Sequence, residues 1–329
     1  MLKVINKQRH VIIGGNGFLG KAIIDKLKNV KNCKYLVVDI KINNSKQFKK
    51  SDYLQCDISK KKEVETIPFK KNDIVHHLAS KLITPNKPRF NRYNFFASTS
   101  IIGTKNILDH MKTKNTTKLI FWSSDMVYGI QKNYPIKEDC VTNPLGDYGN
   151  TKISAERIII EEIKKNNISC TIFRPRLIIG PGRLGILKNL FWLAQRNLPI
   201  PLIGNGRNIF QLASVNDCAD ASILAAYKNC PSEIYNIGSN NPLQTLVLLK
   251  KFLKKINSKS ILISIPSPLI QMLLSTLNCI KISPMDIEQF KIADKNMVLS
   301  TCKIISELEW QAKENDVDML TQAYLDYIK

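Results

Sequence analysis

The chain has 329 residues, enough for one large α/β domain or a core with a smaller lobe. Hydrophobic content of 44% and charged content of 23% exclude a disordered, collagenous or disulfide-scaffold protein. Lys plus Arg number 49 against 27 Asp plus Glu, and the resulting net charge of +22 draws anions of every kind, from phosphorylated metabolites to nucleic acid and anionic lipid.

The chain opens with basic residues before an apolar run, but residues 11–13 are too few for a signal-peptide core and end in glycines. They read as a strand. Next comes Gly14-Gly15-Asn16-Gly17-Phe18-Leu19-Gly20, a GxxGxxG turn that opens a helix over 18–28. The first glycine permits the tight strand-to-helix turn, the second lets backbone approach a pyrophosphate, and the third lets the helix pack on the sheet. The helix N-terminus then offers unpaired N–H groups to the phosphates. A second strand, 35–38, ends in Asp39, where a carboxylate accepts bonds from the adenosine ribose hydroxyls and repels a 2′-phosphate. NAD is therefore expected rather than NADP. Cys56-Asp57-Ile58 places a further carboxylate near the expected adenine.

Further strands are expected at 74–77, 119–122, 170–173 and 233–237, with helices over 98–112 and 150–166. This alternation predicts an α/β fold, a Rossmann-type doubly wound parallel sheet. From Arg176 the texture changes to more Gly, Pro and Asn, which predicts a smaller, discontinuous C-terminal substrate lobe. The expected division is a cofactor-binding core over 1–175, with 213–238 returning to it, and a substrate lobe from 176–212 and 239–329. Residues 260–280 carry no charge. Pro266 and Pro268 argue against a spanning helix, so a loop and a short buried helix are expected and stable membrane insertion is not.

Basic residues fall in short solvated runs (Lys49-Lys50, Lys60-Lys61-Lys62, Lys70-Lys71, Lys164-Lys165, Lys250-Lys251, Lys254-Lys255) without interleaved aromatics, so no nucleic acid is expected as partner. The eight cysteines show no CxxC or Cys/His spacing. No metal is expected, and scattered thiols suit a cytoplasmic location.

Tyr148-Gly149-Asn150-Thr151-Lys152 forms a YxxxK pair, one helical turn apart on one face. A lysine ammonium near a phenol favours the phenolate and makes tyrosine usable as an acid/base. Upstream stands Trp122-Ser123-Ser124-Asp125-Met126-Val127-Tyr128-Gly129; downstream stands Arg174-Pro175-Arg176-Leu177-Ile178-Ile179-Gly180-Pro181-Gly182.

With these motifs the chain resembles the extended short-chain dehydrogenase/reductase superfamily, specifically its NAD-dependent nucleotide-sugar epimerase/dehydratase family. The resemblance runs nearly end to end, through Gly204-Asn205-Gly206, Val215-Asn216-Asp217, Tyr235-Asn236-Ile237-Gly238 and Leu308-Glu309-Trp310. It implies Tyr148 as general acid/base, Lys152 on the nicotinamide ribose, Ser124 on the substrate oxygen, and Ser123 and Pro175 along the nicotinamide. Leu78, Ala79 and Ser100 would pass along the cofactor with Gly14, Gly17, Phe18, Leu19, Gly20, Asp39, Asp57 and Ile58. A homodimer through the helices 98–112 and 150–166 is also implied, the latter carrying Ile153, Ile158, Ile159, Ile160 and Ile163.

Three departures bear on the substrate. The family's dehydratases follow the Ser/Thr with Asp-Glu; here Asp125-Met126 keeps the acid and loses the partner, which disfavours water elimination. Where many members clamp the diphosphate with arginine, Phe210 stands; Arg183 and Arg207 are the candidates to replace it, and Arg176 stands where members often keep an asparagine facing substrate. Ser100 occupies a usual asparagine position and reaches less far. The resulting expectation is an NAD-dependent epimerase of a nucleotide-diphosphate sugar. An oxidoreductase of the 3β-hydroxysteroid dehydrogenase kind, or a non-catalytic NAD-sensing or nucleic-acid-binding protein, are the alternatives.

Overall fold

The computed structural model describes residues 8–41, 53–85, 87–165 and 167–329; the Lys49-Lys50 run lies outside them. Seven parallel strands form one sheet in the order β10-β6-β5-β4-β1-β2-β3. They are β1 (Arg9–Ile13), β2 (Lys34–Asp39), β3 (Tyr53–Gln55), β4 (Ile74–His77), β5 (Lys118–Trp122), β6 (Ser169–Pro175) and β10 (Ile234–Ile237). The strand order reverses at the β1/β4 boundary, and in open α/β sheets the crevice beyond such a switch point takes the ligand.

Both faces of the sheet are covered, which is why its strands read as continuous apolar runs. On one face Ile12, Ile120 and Trp122 pack with α1 (Phe18–Lys28), α7 (Val215–Tyr227) and Trp310. On the other, Val11, Ile13, Val75 and Phe121 pack with α4 (Thr104–Thr113) and α5 (Asp147–Lys164). Ile159 is buried there, and Ile158, Ile160 and Ile163 lean on the same cluster, so much of the apolar surface of α5 is used within the chain. α3 (Arg92–Ala97) runs into α4 through a wide helical turn over Ser98–Gly103.

Short elements that periodicity did not reveal build the rest. β7 (Leu177–Ile179) pairs with β9 (Leu212–Ser214), and β8 (Ile200–Ile203) with β11 (Leu262–Ile265), both parallel. α6 (Leu187–Gln195), α8 (Thr245–Lys255) and α12 (Asp316–Tyr327) share a separate core around Phe191, Phe252 and Tyr324. The remaining helices are α2 (Lys61–Val64), α9 (Ser267–Cys279), α10 (Ile287–Phe290) and α11 (Cys302–Leu308).

The expected short buried helix in 260–280 is corrected. α9 has 13 residues, and Leu274 is its one fully buried side chain. Pro268 sits in the first turn, where no backbone N–H is required, so proline starts this helix instead of breaking it. Among the described residues no helix is long and apolar enough to cross a membrane.

Candidate functional site

The ends of β1, β2 and β4 meet at Gly14. Its N–H donates to Val38 O at 2.7 Å, its φ is +84°, and a Cβ there would lie 2.7 Å from Ala79 N. Only glycine meets both demands. Gly17 caps α1 without a side-chain acceptor, and the first turn holds no acid. Bare N–H groups at the positive end of the helix dipole suit a pyrophosphate, and the close-packed glycine turn leaves backbone free to approach it.

Asp39 lies against this turn, accepting N–H bonds from Asn16 at 2.9 Å and Lys41 at 3.2 Å. Asp57 is engaged locally: Oδ1 accepts from the Ser59 N–H at 3.0 Å and hydroxyl at 2.7 Å, shaping the turn into α2. Ile58 packs over Gly103, where a Cβ would come within 2.6 Å of Ile58 Cδ1. Leu78 donates its N–H to Ile13 O at 2.9 Å, carrying β4 past the glycine turn. Ser100 is buried in the wide turn between α3 and α4, its carbonyl accepting from Thr104 Oγ1 at 2.6 Å.

α5 starts at Asp147, three residues before the expected boundary, which places Tyr148 in its first turn and Lys152 one turn on. The reason is a distant residue. The Glu288 carboxylate accepts from the N–H groups of Tyr148 at 3.0 Å and Gly149 at 3.2 Å, serving the orphan donors of the first turn. A Cβ on Gly146 would strike Glu288, and one on Gly149 would lie 2.6 Å from Met126 O. The helix start is thus pressed against the segment that follows β5.

Lys152 is buried, donates from Nζ to Trp122 O at 2.9 Å, and stands 5.9 Å from the Tyr148 ring centre. Burial lowers its pKa to about 8, against the opposing pull of Glu156. Tyr148 meets the ring of Phe96 edge-on at 5.5 Å. Burial raises the pKa of its phenol. A Ser80 hydrogen bond and the Arg183 charge act against that shift, while Asp125 and Glu288 add to it. Ser124 caps the short turn Asp125–Val127, accepting the Met126 N–H at 3.2 Å and donating to Asp125 Oδ1 at 3.2 Å.

Beneath this group runs a buried polar chain. Ser123 donates to Glu156, which takes Arg174 bidentately at 3.1 and 2.6 Å; Arg174 donates to Tyr128 OH at 2.9 Å, and Tyr128 to Asn236 at 2.8 Å. The chain ties α5 to β6 and β10. The Ser123 hydroxyl is thereby turned toward Glu156, and Pro175 ends β6 in a buried position beside it.

The three candidate arginines separate. Arg176 is buried and ion-paired with Asp125, donates from Nε to Gln211 O at 3.2 Å and lies 4.5 Å over the Phe210 ring. Its Nη2 has no hydrogen-bond partner among the described residues. Arg183 lies 5.7 Å over the Phe18 ring, next to the glycine turn and within the field of Tyr148. Arg207 is exposed on the turn shaped by Asn205 and is not drawn into this group. Glu288 and Ser80 escaped sequence reasoning. Asp286 and Gln289 do form a capping box that announces a helix start, but nothing local reveals that Glu288 serves a helix 140 positions earlier.

Comparison with known proteins identifies the family and the fold. Residues 10–238 match the NAD dependent epimerase/dehydratase family. The uncharacterized protein y4nG of Sinorhizobium fredii is 28% identical over 231 residues, covering 70% of this chain and 58% of that protein. The UDP-glucose 4-epimerase of Lactobacillus helveticus is 27% identical over 264 residues, 73% of this chain and 79% of its own length. Among solved structures, the UDP-glucose 4-epimerase of Thermotoga maritima with UDP-glucose superposes at a TM-score of 0.76 with 21% identity, covering 98% of this chain and 99% of that one. The chain is an enzyme with NAD as its cofactor and belongs to the NAD-dependent epimerase/dehydratase family, within the extended short-chain dehydrogenases.

Proposed function

We propose that the protein is an epimerase of a nucleotide-diphosphate sugar. The observation that carries the choice within the family is the Asp125–Arg176 ion pair beside Met126. Dehydration needs a protonated acid and a base next to the serine; here the one carboxylate is held by a guanidinium and its neighbour cannot exchange a proton.

Gly14, Gly17, Phe18, Leu19 and Gly20 would hold the pyrophosphate and Asp39 the adenosine ribose. Bound NAD supplies a reversible hydride acceptor at the sugar carbon. Tyr148 takes the proton of the reacting hydroxyl and gives it back after the keto-sugar turns. Ser124 steadies that oxygen, and the Lys152 ammonium, 5.9 Å from the centre of the Tyr148 ring, favours the phenolate. Arg183 and the unpaired Nη2 of Arg176 are the donors offered to the substrate. A homodimer in the cytoplasm is part of the same reading, resting on the family resemblance.

The test is incubation with a panel of nucleotide sugars, read by mass spectrometry and NADH absorbance. An isomer of unchanged mass without NADH release is expected. A product lighter by two hydrogens with NADH rising makes it a dehydrogenase, and loss of water makes it a dehydratase; either outcome overturns the proposal.

A further inference from the structure

α9 is amphipathic in the reverse sense. Leu269, Met272, Leu273, Thr276 and Ile280 follow helical i, i+3, i+4, i+7 and i+11 spacing, and all are exposed. The opposite side faces inward, with Leu274 buried and Gln271 donating to Asp294 at 3.4 Å. At the end of α9, Lys281 Nζ donates to Arg89 O at 2.8 Å and stands 3.4 Å above the Phe90 ring, joining the loop before α3 to this face. Phe90, Leu269, Met272, Leu273, Ile280 and Ile282 are each more than half exposed. Large apolar side chains left open together on one helical face mark a surface of interaction.

The charge shown at this face is basic: Lys281 and the exposed Arg89 stand at its edge, and residues 260–285 hold one lysine and no Asp or Glu. The next carboxylates along the chain are committed inward: Asp286 to Arg92, Glu288 to the start of α5, and Asp294 to Lys295 and Gln271. A second copy presenting the same face would set lysine against lysine. An anionic bilayer complements both the apolar stripe and the basic edge.

We infer that α9 and the Phe90 loop form a peripheral docking surface for anionic lipid bilayers, with α9 lying in the interfacial plane. The inference goes beyond the proposed reaction and does not depend on it.

The test is co-sedimentation of the whole protein with phosphatidylcholine vesicles, with and without about one-third phosphatidylglycerol. Binding to the anionic vesicles alone, weakened by salt, is expected. The double variant Met272→Asn/Leu273→Asn leaves the charge unchanged and should weaken partitioning at least roughly tenfold, with NAD affinity preserved. Three results would overturn the inference: no sedimentation with either vesicle, equal sedimentation of the double variant, or self-association in solution that the double variant abolishes.

Discussion

Glu288 holds α5 by its first turn, its two oxygens 3.0 and 3.2 Å from the N–H groups of Tyr148 and Gly149. The side chain that starts α5 therefore comes from the other end of the chain. Burial raises the pKa of Glu288 to about 7, while the two N–H groups pull the other way and Asp286 and Asp147 add to the rise. Its charge in turn makes the Tyr148 phenol harder to ionise.

Glu288→Ala should cost about 2 kcal/mol of stability and roughly tenfold in kcat. Glu288→Gln keeps an acceptor and removes the charge. It should retain most stability while the tyrosine-dependent limb of the kcat/KM profile moves to lower pH. The stability sign is separate: a folded pKa raised from 4.5 to about 7 favours the folded state below pH 4.5, and that advantage is lost as pH rises to about 7. Urea melts of the Gln variant should lack that loss. A pH profile identical to the native one would leave Glu288 no more than a structural cap.

With Tyr148 in its proposed role on the substrate proton, Tyr148→Phe should lower kcat by about 10²–10⁴ while NAD affinity stays near the native value. Burial brings the pKa of Lys152 down to about 8, so raising pH through 8 removes the ammonium that the proposed mechanism places beside the phenolate. The kcat/KM profile should fall there, and Lys152→Met should abolish that limb along with most activity.

Gly14→Ala places a methyl group 2.7 Å from Ala79 N at a φ of +84°. The expected outcome is a loss of roughly 2 kcal/mol or more in stability and a large loss of NAD affinity, both measurable by thermal shift across an NAD titration.

Arg176→Met leaves the Asp125 carboxylate buried without its cation and should cost about 3–5 kcal/mol. Adding Asp125→Leu should recover much of that loss. A urea-based double-mutant cycle reads the coupling, and simple additivity would contradict a true ion pair.

His10 Nδ1 and His76 Nε2 meet at 2.9 Å, and the other nitrogen of each ring is buried without a partner among the described residues. Burial lowers the pKa of His10 to about 4 and that of His77 to about 3, and lowers that of His76 with help from His10. Below pH 6.5 the unfolded chain binds protons that the folded one refuses, so stability falls as pH drops toward 4. Each ring contributes roughly 1 kcal/mol per pH unit to that slope. His10→Leu/His76→Leu should flatten it by about twice that amount, as denaturant melts at pH 4.5, 5.5 and 6.5 would show.

What could be read from residues follows the range of the forces involved. The six main strands of the sheet and α1 were legible because their apolar period and the Gly14–Gly17–Gly20 spacing are local. β7, β8, β9 and β11 were not, being three or four residues long and defined by partners far away in the chain. Tyr148, Lys152 and Ser124 could be named from motif spacing. That Asp125 and Arg176 bind each other, and that Glu288 reaches Tyr148, depends on contacts across 51 and 140 positions. The outward stripe of α9 also misled, since an uncharged run states its affinity for an apolar surrounding and leaves open which one.

The late position of Glu288 has a bearing on biosynthesis. The glycine turn, Tyr148 and Lys152 leave the ribosome well before residue 288, so the nascent chain carries its cofactor turn and its acid/base pair before the start of α5 is closed. A product cut short before residue 286 would also lose Ile304, Leu308 and Trp310 from the core beneath α1, so the chain's end closes the start of α5 and completes the packing of the cofactor turn in the same stretch of synthesis.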